Sequence, residues 1–135
     1  MKVSPFPQAL VFSPGTLRGV TPVDQTLSVD DVTLALVALE RYQDGARLRW
    51  LAHTKDPKKK KGLGTPAGVE VVDDAGRRYR AAALESRRDG HRAEGALALA
   101  PAIPRDVDAI TVTVGNVGDA RLAGPWVFPI QLNSG

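Results

Sequence analysis

Val32-Thr33-Leu34-Ala35-Leu36-Val37-Ala38-Leu39-Glu40-Arg41-Tyr42 is followed by Gln43-Asp44-Gly45 and then by Arg47-Leu48-Arg49-Trp50-Leu51-Ala52. The fold class turns on how the first of these runs is read. Val32, Leu36 and Leu39 have helical spacing, and Ser28 with Asp31 has the form of a capping box. Val32, Leu34, Leu36 and Ala38 alternate as a strand would. The residues that follow decide between the two. Asp44-Gly45 is a hairpin turn signal, and the run after it alternates charged and apolar residues. A returning strand needs a partner, so 32–42 is read as a strand.

The same grammar runs outward in both directions. Gln25 to Val29 alternates upstream. Downstream, Val69 to Val72 reads as a strand, Asp73-Asp74-Ala75-Gly76 as a turn, and Arg77 to Glu85 as the return. Asp89-Gly90 is another hairpin turn, and His91 to Ala98 follows it. Ile110-Thr111-Val112-Thr113-Val114 has its apolar residues on one face and its threonines on the other. Gly115 to Pro125 reads as a glycine-rich loop. Trp126, Phe128, Ile130 and Leu132 share one face of the closing segment, and Pro129 belongs on a sheet edge. Short strands with turn signals every eight to twelve residues predict an all-β, two-sheet antiparallel β-sandwich over 23–135. Residues 1–22 are expected to form a proline-rich extended arm, since Pro5, Pro7, Pro14 and Pro22 forbid a helix there.

These residues carry a resemblance. Val32 to Tyr42, the Asp73-x-x-Gly76-x-x-Tyr79 hairpin, Pro101 to Pro104 before Ile110 to Val114, and the late Trp126-Val127-Phe128-Pro129-Ile130 strand are similar to bacterial immunoglobulin-like domains. Such domains accompany bacterial surface lipoproteins and anti-sigma factors. The similarity spans roughly residues 23–132. It implies an immunoglobulin-like fold and a protein-binding or structural module, and it brings no catalytic residues with it.

Composition limits the chemistry. The chain has 135 residues and no cysteine. That removes disulfides, thiol catalysis and cysteine-held zinc or iron–sulfur centres. His53 and His91 are the side chains suited to general-base work near neutral pH. His53 ends a strand on its outward phase, His91 follows a turn, and no serine sits in a glycine elbow. Asp30-Asp31 and Asp73-Asp74 lack the alternating oxygen spacing of a calcium loop and read as turn residues. Lys61-Gly62-Leu63-Gly64-Thr65-Pro66-Ala67-Gly68 has its lysine before the glycines, the reverse of a phosphate loop. Trp50, Trp126 and Phe128 are expected in the core, with a ligand platform as the alternative. No catalytic residue, cofactor or metal is assigned, and the chain is expected not to be an enzyme.

Charge supplies the remaining leads. Residues 1–54 carry five basic and five acidic groups, and residues 65–135 carry eight and nine. The whole net charge of +3 therefore comes from 55–64, where Lys55, Lys58, Lys59, Lys60 and Lys61 oppose Asp56. This basic loop, 55–68, is expected either to contact nucleic acid or another polyanion, or to be a solvated connector. No aromatic residue is interleaved to stack on bases. Leu10-Val11-Phe12, apolar and bounded by prolines, is the second lead. It is expected to dock on its own sheet or on another protomer's sheet edge. The leading expectation is a non-enzymatic interaction or assembly module with a protein partner or a second copy. Polyanion binding through Lys55 and Lys58 to Lys61 is the alternative. The absence of a signal peptide or a membrane span points to the cytoplasm unless a leader is removed.

Overall fold

The computed structural model describes residues 16–132, so Leu10-Val11-Phe12 lies outside the described residues. Nine strands follow one another: β1 (Leu17–Val29), β2 (Val32–Tyr42), β3 (Gly45–Thr54), β4 (Leu63–Ala67), β5 (Glu70–Asp73), β6 (Arg78–Asp89), β7 (Arg92–Ala100), β8 (Ala109–Gly118) and β9 (Ala123–Gln131). Every pairing among them is antiparallel.

The helix-or-strand ambiguity of 32–42 has a physical origin. Val32, Leu34 and Leu36 are buried and alternate, as a strand requires. Between Leu36 and Ala38 the register with β3 slips by one, which leaves Val37 as an extra, partly exposed residue. This bulge moves the inward phase onto Leu39. One bulged strand thus reproduces the i, i+4, i+7 spacing of a helix. Upstream, Asp30 and Asp31 both take positive φ, at 51° and 67°, and form the two-residue connection between β1 and β2. Consecutive positive φ values suit a hairpin turn and exclude a capping box.

Three boundaries differ from the sequence reading. Gly115 to Pro125, read as a loop, is strand at both ends: β8 continues through Gly118 and β9 begins at Ala123, because Asn116 pairs with Ala123 after a bulge. β1 begins at Leu17, so residues 17–22 are strand and not arm. Pro22 is accommodated because, among the described residues, β1 pairs only with β2 and leaves its other edge unladdered. Residues 63–67 of the basic loop form β4, which pairs with β8.

The expected separation into two sheets is replaced by one continuous ladder. Its order is β1-β2-β3-β7-β6-β5-β8-β4, with β9 on the other edge of β8. Strand β6 makes the connection. Its first residues, Arg78 and Tyr79, pair with β5, while Arg80 to Asp89 pair with β7. β5 and β4 lie end to end along one edge of β8, and β9 runs along the other. The result is a nearly closed, barrel-like antiparallel sheet. Its core is built around Trp50, Trp126 and Phe128, each at most 1% exposed, with Leu34, Leu36, Leu48 and Leu99. Burying aromatic side chains of this size stabilises a fold by about 2–3 kcal/mol each. Trp126 Nε1 donates to Val32 O at 3.2 Å, tying β9 to the start of β2.

Candidate functional site

Among the described residues the ladder stops at a seam between β1 and β9. β1 has β2 as its strand partner and β9 has β8. Proline chemistry helps keep the seam open. Pro129 lies in β9 without an N–H to donate, and its carbonyl instead accepts from the side-chain Nε2 of Gln25 on β1. On the β1 side, the register slips between Pro22 and Gln25, where Asp24 takes φ 48°. The seam leaves apolar surface uncovered. Leu27 pairs with the fully buried Leu34, yet is itself 38% exposed, while Val20, 54% exposed, lies on the outward face of the same edge strand opposite Glu40. On a closed barrel the residue opposite Leu34 would be covered. Sheet edges of this kind accept a further strand.

The lysine loop folds into successive turns. Asp56 Oδ1 accepts from Lys58 N at 2.9 Å, and Asp56 O accepts from Lys59 N and Lys60 N. A short 3-10 turn, Lys60–Gly62, leads into β4. The five lysines are not equivalent. Lys59 Nζ donates to the carbonyl of Asp30 and lies 3.2 Å from its carboxylate, so this charge is tied to the β1–β2 turn. Lys55, Lys58 and Lys61 are exposed and Lys60 is half-buried. Among the described residues, none of these four has a carboxylate within ion-pair distance.

Further basic groups gather at this end of the barrel. Arg88 on β6 donates to Lys61 O at 2.7 Å, which fixes its guanidinium beside the loop. His53 on β3 and His91 before β7 line one shallow concavity of about 340 Å³ with Thr54, Lys55 and Arg92. The β3–β7 register brings them together by pairing His53 with Arg92. His91 Nδ1 lies 3.2 Å from Thr54 O. His53 also lines a second concavity, of about 400 Å³, with Asp31, Asp56 and Lys55, so the two histidines share this end of the barrel with charges of both signs.

The other candidates take structural places. Glycines between the lysines and β5 serve strand packing. A Cβ at Gly118 would fall 2.2 Å from Gly62 O and 2.5 Å from Gly64 N. Gly115 N donates to Gly68 O at 3.1 Å, so backbone meets backbone where β4 gives way to β5. Asp73 is a hub within the β5–β6 turn. Its fully buried side chain accepts from Ala75 N, Arg77 N and Arg77 Nε, each at 2.9 Å, and from Tyr79 Oη at 2.8 Å. Asp74 Oδ2 accepts from Asp108 N, which anchors the loop before β8. Trp50, Trp126 and Phe128 are core residues and do not form a surface platform.

A cleft of about 560 Å³ lies between β2, β3, β6 and β7, beside the Val37 bulge. Its charges are matched internally, Arg49 with Glu85 at 3.8 Å and Arg87 with Glu94 at 2.9 Å. Among the described residues no three metal-ligating side chains gather, and no helix is long and apolar enough to cross a membrane. No family model, curated protein or solved structure matches the chain.

Proposed function

We propose that the protein is a non-enzymatic interaction or assembly module that takes a partner strand into the β1–β9 seam. The occupant is an edge strand of a second copy. The observation that supports this reading is Leu27, an inward-phase residue left 38% exposed where the ladder stops. A strand seated there would cover Leu27 and pair with the open edge of β1. The immunoglobulin-like resemblance belongs to the same proposal. In it β1, β2, β3 and β7 form one face, β4, β5, β8 and β9 the other, and β6 bridges them.

Sedimentation velocity across a concentration series tests the proposal. The wild-type chain is expected to self-associate reversibly. A Val20→Lys, Leu27→Lys variant places charge on the edge, the device by which natural sheets avoid pairing. It is expected to keep its far-ultraviolet circular dichroism and to weaken association at least tenfold. A wild-type chain that stays monomeric at its highest soluble concentration, or a variant that associates equally well, would rule the proposal out.

A second reading is favoured by the gathering of Arg88, Arg92, His53 and His91 beside Lys55, Lys58, Lys60 and Lys61. In this reading the end of the barrel binds a polyanion. Labelled heparin or DNA is expected to bind with a steep salt dependence, because phosphate or sulfate contacts release counterions. Changing Lys58, Lys59, Lys60 and Lys61 together to alanine is expected to remove most of the affinity and flatten that dependence. Equal binding by variant and wild type would make the loop a connector.

A further inference from the structure

We propose that His91 makes polyanion binding at the lysine-loop end of the barrel stronger in acid, its protonated imidazole taking a sulfate group of a sulfated polysaccharide beside Lys55 and Arg92. This site rests on the polyanion reading and adds a contact outside the lysine run. The ring is anchored. Thr54, 1% exposed, donates from its N to His91 O at 3.1 Å, and its carbonyl accepts from His91 Nδ1 at 3.2 Å. Thr54 is itself fixed, because its Oγ1 donates to Asp31 O at 2.8 Å and accepts from Asp56 N at 3.2 Å. The imidazole of an exposed residue is thereby tied to a buried residue at the end of β3.

The bond to Thr54 decides what acid does. A carbonyl oxygen only accepts, so Nδ1 carries the hydrogen of the neutral ring and Nε2 is left as an acceptor. In that state Nε2 presents a lone pair, which repels the oxygens of an anion. Histidine takes up its second proton between pH 5 and 8. That proton turns Nε2 into a charged donor and leaves the Thr54 bond in place. His91, His53, Thr54, Lys55 and Arg92 line one concavity of about 340 Å³, and no carboxylate lines it. The protonated ring is then a third cation beside Lys55 and Arg92. Hydrogen bonds from such a donor to an oxyanion are roughly twice as strong as neutral ones.

The surrounding charges assign the switch to His91 and not to His53. His53 shares its other concavity with Asp31 and Asp56, so a charge gained there is offset by carboxylates. Asp89 and Glu94 stand with Arg87 and Arg92 in a separate, smaller concavity that His91 does not line. Glu94 lies 2.9 Å from Arg87 and 3.9 Å from Arg92. No tryptophan, tyrosine or phenylalanine lines the His91 concavity to stack on a base. The arrangement therefore favours a polymer recognised by its anionic groups alone. Sulfate esters keep their charge across the range in which histidine titrates, so the imidazole is the partner that changes.

Labelled heparin titrated with the full chain at about pH 7.5 and about pH 5.5, at one fixed ionic strength, tests the site. Affinity is expected to rise at least fivefold at the lower pH. His91→Asn keeps a donor at the position of Nδ1, and so the bond to Thr54 O, but has nothing to protonate. It is expected to cut the rise to less than twofold with its far-ultraviolet circular dichroism unchanged. His53→Gln is expected to keep most of the rise. The alanine variant of Lys58 to Lys61 is expected to bind more weakly at both pH values and to keep the rise. A wild-type affinity that does not change with pH, or a rise that survives in His91→Asn, would overturn the assignment of His91 and leave the polyanion reading standing. Absence of heparin binding at both pH values would overturn the two together. Duplex DNA is expected to bind less tightly than heparin under the same conditions, and tighter binding of DNA would overturn the choice of a sulfated polymer.

Discussion

Replacing Gly118 by alanine is expected to cost about 4 kcal/mol of unfolding free energy, from two separate penalties. The first is conformational. Gly118 has φ +92°, a region that L side chains rarely adopt, and holding one there costs about 1–3 kcal/mol. The second is steric. The new Cβ would lie 2.2 Å from Gly62 O, 2.5 Å from Gly64 N and 3.0 Å from Gly64 Cα. These are backbone atoms of the chain entering β4, so no side chain can rotate aside. Relief requires β4 to separate from β8, and overpacking of this kind costs about 1–3 kcal/mol. Gly90 provides the control. It has φ +62°, but a Cβ there meets nothing within 4 Å. Gly90→Ala should therefore show the conformational penalty alone, about 1 kcal/mol. Denaturant unfolding of both variants separates the two contributions, provided the slope with denaturant is unchanged. Equal losses for Gly118→Ala and Gly90→Ala would mean that β4 does not pack on β8 as described.

The same glycines show why part of the fold could not be read from the sequence. Leu63-Gly64-Thr65-Pro66-Ala67 has no alternation and few β-formers, so it reads as loop. It is a strand because Gly118, more than fifty residues later, accepts it at backbone distance. Local signals were sufficient where turns carry their own chemistry. Asp44-Gly45, Asp73 to Gly76 and Asp89-Gly90 mark real hairpins, and Val32 to Tyr42 is the strand that its neighbours demand. They fell short where pairing is non-local. That β6 exchanges one partner for another between Tyr79 and Arg80 is a property of the closed ladder and not of either residue.

The candidate sites divide along the same line. A run of lysines is visible in any sequence, but Asp30 neutralises Lys59 only because the β1–β2 turn folds against the loop. The approach of His53 to Arg92 depends on the β3–β7 register. The uncovered Leu27 is likewise invisible before the seam is known, since its alternation marks it as a core residue.

Replacing Asp73 by alanine is expected to cost about 3 kcal/mol near neutral pH, with a dependence on acidity that identifies the cause. The carboxylate accepts four hydrogen bonds, two from backbone N–H groups of its own turn and two from the side chains of Arg77 and Tyr79. Its removal leaves the buried Tyr79 hydroxyl without its acceptor and the turn without its brace. Burial alone would push the acid's pKa up. The hydrogen bonds from Tyr79, Arg77 N and Ala75 N, together with the Arg77 charge, outweigh burial and hold it below the ordinary carboxylate value. The sign of the linkage follows. A carboxylate with a depressed folded pKa contributes its stability above the unfolded value, ~4, and loses it as pH falls through the folded value. The penalty of Asp73→Ala should therefore be full near neutrality and shrink below about pH 4, where the wild type must also give up the charge. Tyr79→Phe removes one of the four bonds and should cost about 1–1.5 kcal/mol. In the Asp73→Ala background it should cost less, because the acceptor is already gone. An Asp73→Ala penalty that stays constant from about pH 7 to about pH 3 would show that packing, and not the buried charge, holds this turn.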